Sequence, residues 1–368
     1  MKITELSNRL TAVFVIAFIL FFGVLTLSEY GEKDFPEISA KTILNGSFGK
    51  VLESYMTENF AFRDRWLSAK ADIEADMGEK IVDGVYISDG RMLGTEGARR
   101  DISLKNAENV NKFADNYKGT VYFTAVPTSS GVYAELLPDY LLSNPEKSQI
   151  ATLYDGLADG IRKIDTYNIL KMMNESYIYY RTDTGLTSYG AYYVYRAVIQ
   201  KLGFLPSSYS KYTISHVKSD FRGNLYKRCF YDGTKPDILD IYSYSGGAEI
   251  TDCTVCTDSG VTYKKQPDNM DFSESDDIYN MYLGEGNPFV KINTSVNNQK
   301  KLLVIKDSTA DCLIPFLIQH YSEIAVIYPE YSEKNMSFFV DPDNYEQILF
   351  LFGIDSMSNE NLLEMINK

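Results

Sequence analysis

The sequence predicts an α/β fold built on a parallel sheet, preceded by an N-terminal membrane helix. Three observations predict it. From Ser103 onward, short β-branched and aromatic runs alternate with stretches of helical periodicity, the pattern of strands joined by crossover helices. Leu302-Leu303-Val304-Ile305 is apolar at every position, as expected of a strand covered on both faces. Leu10 to Leu27 is uncharged and dominated by apolar residues, close to the ~20 residues that cross a ~30 Å hydrocarbon layer.

Lys2 and Arg9 precede that run, and Glu29, Glu32, Lys33, Asp34 and Glu37 follow it, so the positive flank should stay cytoplasmic and the remainder lie outside. The expected organisation is a cytoplasmic tail over residues 1–9, a transmembrane anchor over 10–28, a linker over 29–50 and an extracytoplasmic domain over 51–368. A cleaved signal peptide is the alternative. Against it, the run is longer than an ordinary signal core, and no clear Ala-x-Ala site precedes Phe35-Pro36.

Val51 to Met56 and Phe62 to Leu67 read as helical from their three- and four-residue apolar spacing. Val85 to Ser88, the Asp89-Gly90 turn and Arg91 to Leu93 read as a hairpin. The alternating region then predicts a helix over Leu104–Tyr117 and a strand over Val121–Val126. A helix over Ser148–Lys163, a short strand near Ile178 and a helix over Ser188–Leu202 closed by Gly203 follow. Residues 204–300 carry short β runs broken by Gly, Asp and Ser turns, and predict a β-rich insertion. After it come the strand Leu302–Ile305, a helix over Ala310–Tyr321, a strand over Ile324–Tyr328 and a last strand over Ile348–Phe352.

Composition narrows the function. At 368 residues and 45% hydrophobic the chain has ample core. A formal charge of −14 excludes nucleic acid, or an anionic glycan backbone, as a partner held by bulk electrostatics. The four cysteines do not form a disulfide framework, and Cys253-Thr-Val-Cys256, without a second pair or a nearby histidine, does not close a tetrahedral metal site. They read as small buried hydrophobes or a local disulfide, and no metal or cofactor is expected.

Tyr179-Tyr-Arg-Thr-Asp-Thr-Gly-Leu-Thr-Ser-Tyr-Gly-Ala-Tyr192 is the most informative stretch. It resembles the signature of the DHHW proteins of Gram-positive bacterial envelopes, in which an Asp-His-His-Trp core lies between an aromatic-Arg-Thr lead and Thr-Ser-Tyr-Gly-Ala-Tyr. Here the core reads Asp183-Thr184-Gly185-Leu186. A second landmark is Lys301-Leu-Leu-Val-Ile-Lys-Asp-Ser308, an apolar strand running into Asp-Ser. The resemblance implies an SGNH-hydrolase-like three-layer sandwich related to proteins that O-acetylate alginate and other envelope polysaccharides. In that family's pattern Ser308 matches the nucleophile and Asp183 the acid that orients its histidine, while Gly185 occupies the histidine's place.

A serine hydroxyl needs a positioned base, whose assistance contributes ~10²–10⁴-fold in rate. Glycine offers none. Of the two histidines, His320 lies twelve residues beyond Ser308, and His216 belongs to the β-rich stretch. Residue by residue, Asp307-Ser308 also reads as a helix N-cap, Asp183 as a turn residue before Gly185, and Thr187-Ser188 as the cap of the next helix. Backbone N–H groups at the helix after Ser308 would be the natural oxyanion site. Asn287, in Gly284-Glu-Gly-Asn287, is a candidate polar donor near the site, and Tyr180 and Arg181 are candidate substrate contacts within a tyrosine-rich neighbourhood.

The expectation is therefore an anchored, extracytoplasmic protein associated with cell-envelope polysaccharide O-acetylation. It would be a pseudoenzyme acting in glycan binding or as an accessory subunit, beside a membrane-bound O-acyltransferase. The alternative is an active O-acetyltransferase or esterase using Ser308 with a relocated base.

Overall fold

A computed structural model describes residues 2–30, 47–88, 90–97, 100–142, 145–244, 246–264 and 286–367. Asp89 of the hairpin turn, most of the 29–50 linker, and Leu283 to Glu285 lie outside the described residues. Met1–Glu79 with Phe230–Asp232 form one compact unit, and Lys80–Cys229 with Gly233–Lys368 a second.

The first unit contains α1 (Lys2–Tyr30), α2 (Ser47–Glu58) and α3 (Arg63–Asp76). Within α1, Ser7–Thr26 is long and apolar enough to cross a membrane.

The second unit opens with β1 (Ile81–Val82), β2 (Val85–Ser88) and β3 (Arg91–Gly94), an antiparallel three-stranded sheet. Next come α4 (Arg100–Asn116), β4 (Thr120–Val126), α5 (Glu146–Gly156), β5 (Arg162–Lys163), α6 (Tyr167–Met172) and α7 (Ser188–Lys201). The β-rich stretch supplies β6 (Tyr212–Phe221), α8 (Asn224–Cys229), β7 (Asp237–Tyr244), β8 (Ile250–Cys256), β9 (Thr262–Lys264) and β10 (Phe289–Thr294). The chain ends through β11 (Lys301–Lys306), β12 (Glu323–Ile327) and β13 (Gln347–Gly353).

The main sheet runs β5-β4-β13-β11-β12-β10-β8-β9. Its pairs from β5 to β12 are parallel, and β10, β8 and β9 add on antiparallel. The β-rich stretch thus does not stand apart: three of its strands extend the sheet, while β6 and β7 pair as a separate ribbon. Alternation along the strands divides the core in two. Leu302, Val304, Leu349, Leu351 and Tyr122 pack with Tyr195 and Val198 of α7. Leu303, Ile305, Phe350, Phe352 and Phe123 pack with Val110 and Phe113 of α4 and Leu153 of α5. Burial on both faces is why Leu302–Ile305 of β11 and Ile348–Phe352 of β13 are apolar at every position, and it gives the three layers.

Three elements depart from the sequence reading. Ile178 is not a sheet strand: Tyr179 makes one antiparallel bridge to Leu186, and the Ile178 carbonyl accepts from Thr187 N–H, so the segment pairs with its own loop. The outer parallel strand is instead β5, formed after α5 stops at Gly156, so the expected helix over Ser148–Lys163 ends early. The helix over 310–321 is a 3₁₀ turn at Ser308–Leu313 followed by an α turn at Ile314–Leu317. Pro315 has no N–H to continue the ladder.

Candidate functional site at the carboxyl end of the sheet

β11 delivers Asp307 and Ser308 to the carboxyl end of the parallel strands, where open α/β sheets place their sites. Asp307 is fully buried and caps the following turn: its carboxylate accepts from Thr309 N–H at 3.0 Å and from Gly353 N–H, at the end of β13, at 2.7 Å. Burial pushes its pKa up to about 7. The loop is held from below by Lys306, wholly buried, whose ammonium pairs with Asp311, donates to the Asp307 carbonyl at 3.3 Å and sits 3.6 Å from the Tyr328 ring centre. Tyr328 completes the group by donating to Asp311 at 3.0 Å.

Ser308 itself is half-buried, and among the described residues its hydroxyl has no hydrogen-bond partner. The amides expected to form an oxyanion site are already engaged, Thr309 N–H by the Asp307 carboxylate and Ala310 N–H by the Asp307 carbonyl at 3.3 Å.

Both histidines are held elsewhere. His320 Nε2 lies 2.6 Å from the Tyr195 hydroxyl, against the Phe204 ring, and burial lowers its pKa to about 4. His216 is largely exposed on β6, with Nδ1 2.5 Å from Asp240.

Beside the Asp307 loop, Thr128, Glu146, Ile354, Asp355, Ser356 and Glu96 are among the residues lining a cleft of about 470 Å³. Glu146 accepts from Thr128 N–H at 2.9 Å and from its hydroxyl at 2.5 Å. Desolvation raises its pKa to about 7, and raises that of Asp355.

The signature loop reaches the same end of the sheet through Tyr179, whose hydroxyl donates to the Pro127 carbonyl, just past β4, at 2.5 Å. Asp183 is buried; its carboxylate accepts from Gly185 N–H at 2.8 Å and from Asn224 N–H, at the start of α8, at 2.6 Å. That is the turn geometry its sequence context predicts. It also places Asp183 against position 185.

The loop's hub is a residue that sequence reasoning missed. Asp237 is fully buried and accepts from Tyr177 Oη at 2.5 Å, Arg181 N–H at 2.8 Å, and the N–H and hydroxyl of Thr182 at 2.9 and 2.5 Å. Its only sequence signal is a polar residue opening a strand after Pro236, which reads as a turn.

Of the candidate contacts, Arg181 is a third exposed, stacks over the Tyr177 ring at 4.5 Å and lies 3.5 Å from Asp237. Tyr180 is buried against Phe221 and Leu239 and serves packing. Asn287 precedes β10, whose first residue Phe289 pairs with Ile327 at the carboxyl end of β12; it accepts from Tyr263 Oη at 3.1 Å. It therefore shares Ser308's end of the sheet, two strand spacings or roughly 10 Å to the side.

The neighbouring tyrosines mostly pack on one another, as Tyr192 does with Tyr209, Tyr212 and Phe316. All four cysteines are free thiols, and Cys253 and Cys256 pack into opposite cores of the sheet, so they cannot share a metal. No metal-binding cluster occurs among the described residues.

A mostly parallel sheet covered by helices, with a serine at the end of a central strand, defines an SGNH-like α/β protein. The DHHW protein family matches residues 74–327, more than half the chain, and the chain belongs to that family. It is similar to a DHHW family protein from Eubacterium siraeum DSM 15702, at 24% identity over 77% of this chain and 94% of that one, with a TM-score of 0.63. It is also similar to Bacillus cereus PatB1, at 17% identity over 77% of this chain and 99% of that one, with a TM-score of 0.65. PatB1 carrying a sulfonyl adduct matches at 16% identity over 76% and 97%, with a TM-score of 0.62. At these identities the likeness is one of fold. No protein of curated function matches the sequence.

Proposed function

We propose that this chain is a membrane-anchored, extracytoplasmic DHHW protein that works in envelope polysaccharide O-acetylation as a glycan-binding or accessory subunit, without serine-ester chemistry of its own. One observation carries the reading: Ser308 meets no imidazole, since His320 is bonded to Tyr195 and His216 to Asp240. The capped amides of Thr309 and Ala310 support it from the electrophile's side. Arg181 and Asn287 are the polar groups assigned to the glycan, and a membrane-bound O-acyltransferase is the partner the family resemblance implies.

The test is labelling with a sulfonyl fluoride, chosen because PatB1 forms a sulfonyl adduct. Ser308 is expected to stay unlabelled and an acetyl ester uncleaved. Rapid labelling that Ser308→Ala abolishes would establish the active reading instead. Gly185 is buried and has a φ outside the left-handed region, so no left-handed backbone strain opposes a side chain there. Gly185→His, placed against the Asp183 carboxylate, is expected to raise esterase turnover by about 10²-fold at most, the low end of what a positioned base supplies, because the oxyanion amides remain occupied.

A further inference from the structure

α3 carries an apolar stripe on its exposed face. Trp66 is 50% exposed, and Ile73 and Met77, seven and eleven residues on and so on the same side, are 60% and 75% exposed. The opposite side, Ser68 and Ala71, is buried. Phe62, 47% exposed at the N-terminus of α3, has a left-handed backbone at φ 61°, a conformation that costs a bulky residue free energy. Arg65 lies 5.6 Å over its ring.

The first unit also fixes this surface relative to the apolar helix. Phe22 of α1 stacks on Phe60 with ring centres 5.5 Å apart and meets Trp66 edge-on at 5.9 Å, while Ala61 N–H donates to the buried Thr26 hydroxyl at 3.1 Å. Phe22 and Thr26 form the last turn of the Ser7–Thr26 span. Residues 60–66 are thus level with its end, within about 6 Å at ~1.5 Å per residue. A groove lined by Glu53, Thr57, Phe60, Arg63, Trp66 and Leu67 opens at the same level.

We infer that α3 is an interfacial helix: it lies in the bilayer surface at the C-terminal end of α1, with Phe62, Trp66, Ile73 and Met77 among the upper acyl chains and Arg63, Arg65 and Lys70 at the lipid phosphates. The occupant is lipid because the stripe adjoins the membrane-spanning segment through the Phe22–Trp66 contact and because Trp favours the water–hydrocarbon boundary, while Asp64, Asp72, Glu74 and Asp76 balance the bases of the helix, so that apolar contact rather than net charge holds it there. The inference rests on α1 being an uncleaved anchor.

Trp66 is the only tryptophan in the chain, so the unmodified protein carries its own probe. The full chain would be placed, one copy each, in nanodiscs of phosphatidylcholine and phosphatidylglycerol containing nitroxide labels at acyl position 5 or 16. Trp66 fluorescence is expected to be quenched about threefold more strongly by the shallow label than by the deep one, and to be shielded from aqueous iodide, as for a side chain ~5–10 Å into the interface. Open access to iodide with no lipid quenching would overturn the inference. So would shielding that appears only when two copies share a disc, which assigns the stripe to self-association. A Trp66→Phe, Leu20→Trp variant separates the two readings. Deep quenching at position 20 with iodide access at Trp66 leaves the anchor standing and sinks the interfacial helix, whereas no lipid quenching at position 20 removes both.

Discussion

Asp183 is a buried carboxylate within the signature loop, Asp237 of β7 is the buried carboxylate that holds that loop, and the two are unequally visible in the sequence. Asp183 sits in a motif whose local pattern, Asp two residues before Gly, carries its own turn chemistry. Asp237 lies more than fifty residues away and acts only through the fold, so no window of sequence contains both it and its donors. Its four close donors make a sharp prediction. Asp237→Asn turns an amide NH₂ toward groups that themselves donate, and is expected to cost about 2–4 kcal/mol, the penalty of buried donors left unpaired. Urea denaturation of the purified domain measures it, and a loss under 0.5 kcal/mol, roughly what an ordinary surface change costs, would contradict the hub assignment. Ser308 was legible for the opposite reason. It follows an apolar run immediately, so its place at a strand end needed no long-range information.

At the scale of elements, long apolar strands were readable and marginal ones were not. β4, β11, β12 and β13 all fall where apolar runs predicted them, with Thr124 of β4 the one polar residue inside those runs. β5, two residues of Arg and Lys, has no such signal and exists because β4 offers it an open edge. The Ala310–Tyr321 segment reads as one helix from its apolar spacing, yet the chain forms a 3₁₀ turn and then a short α turn around Pro315. What holds that broken turn in place is the buried Lys306–Asp311 pair with Tyr328. Lys306→Met leaves Asp311 buried without its counter-charge and should destabilise the fold by about 3–5 kcal/mol. A Lys306→Met, Asp311→Leu double variant should recover most of that in the same denaturation assay, and equal losses in single and double variants would show that packing rather than charge dominates.

For the molecule as a whole, the titrating groups pull stability in opposite directions over mild acid. His320 has a folded pKa depressed to about 4 from an ordinary 6.5, so its contribution is complete above 6.5 and is lost as pH falls towards 4. Glu146 has a folded pKa raised to about 7 from 4.5, so its contribution is complete below 4.5 and is lost as pH rises through 7. Asp307 behaves as Glu146 does. Glu146→Gln keeps an acceptor for Thr128 N–H and should flatten the decline between pH 4.5 and 7. His320→Gln should flatten the decline between 6.5 and 4. Denaturant midpoints measured across pH 4–8 check both, and unchanged profiles would refute the assignments.

The two ends of the main sheet bear on how the chain avoids its neighbours. β5 is two basic residues long, and β9, over the described residues Thr262–Lys264, carries Lys264 paired to Asp252. A template for strand exchange needs about five or six residues of open, uncharged ladder. Among the described residues neither margin supplies one, so the aggregation hazard carried by the greasy central strands belongs to the unfolded chain and falls once the sheet has closed around them.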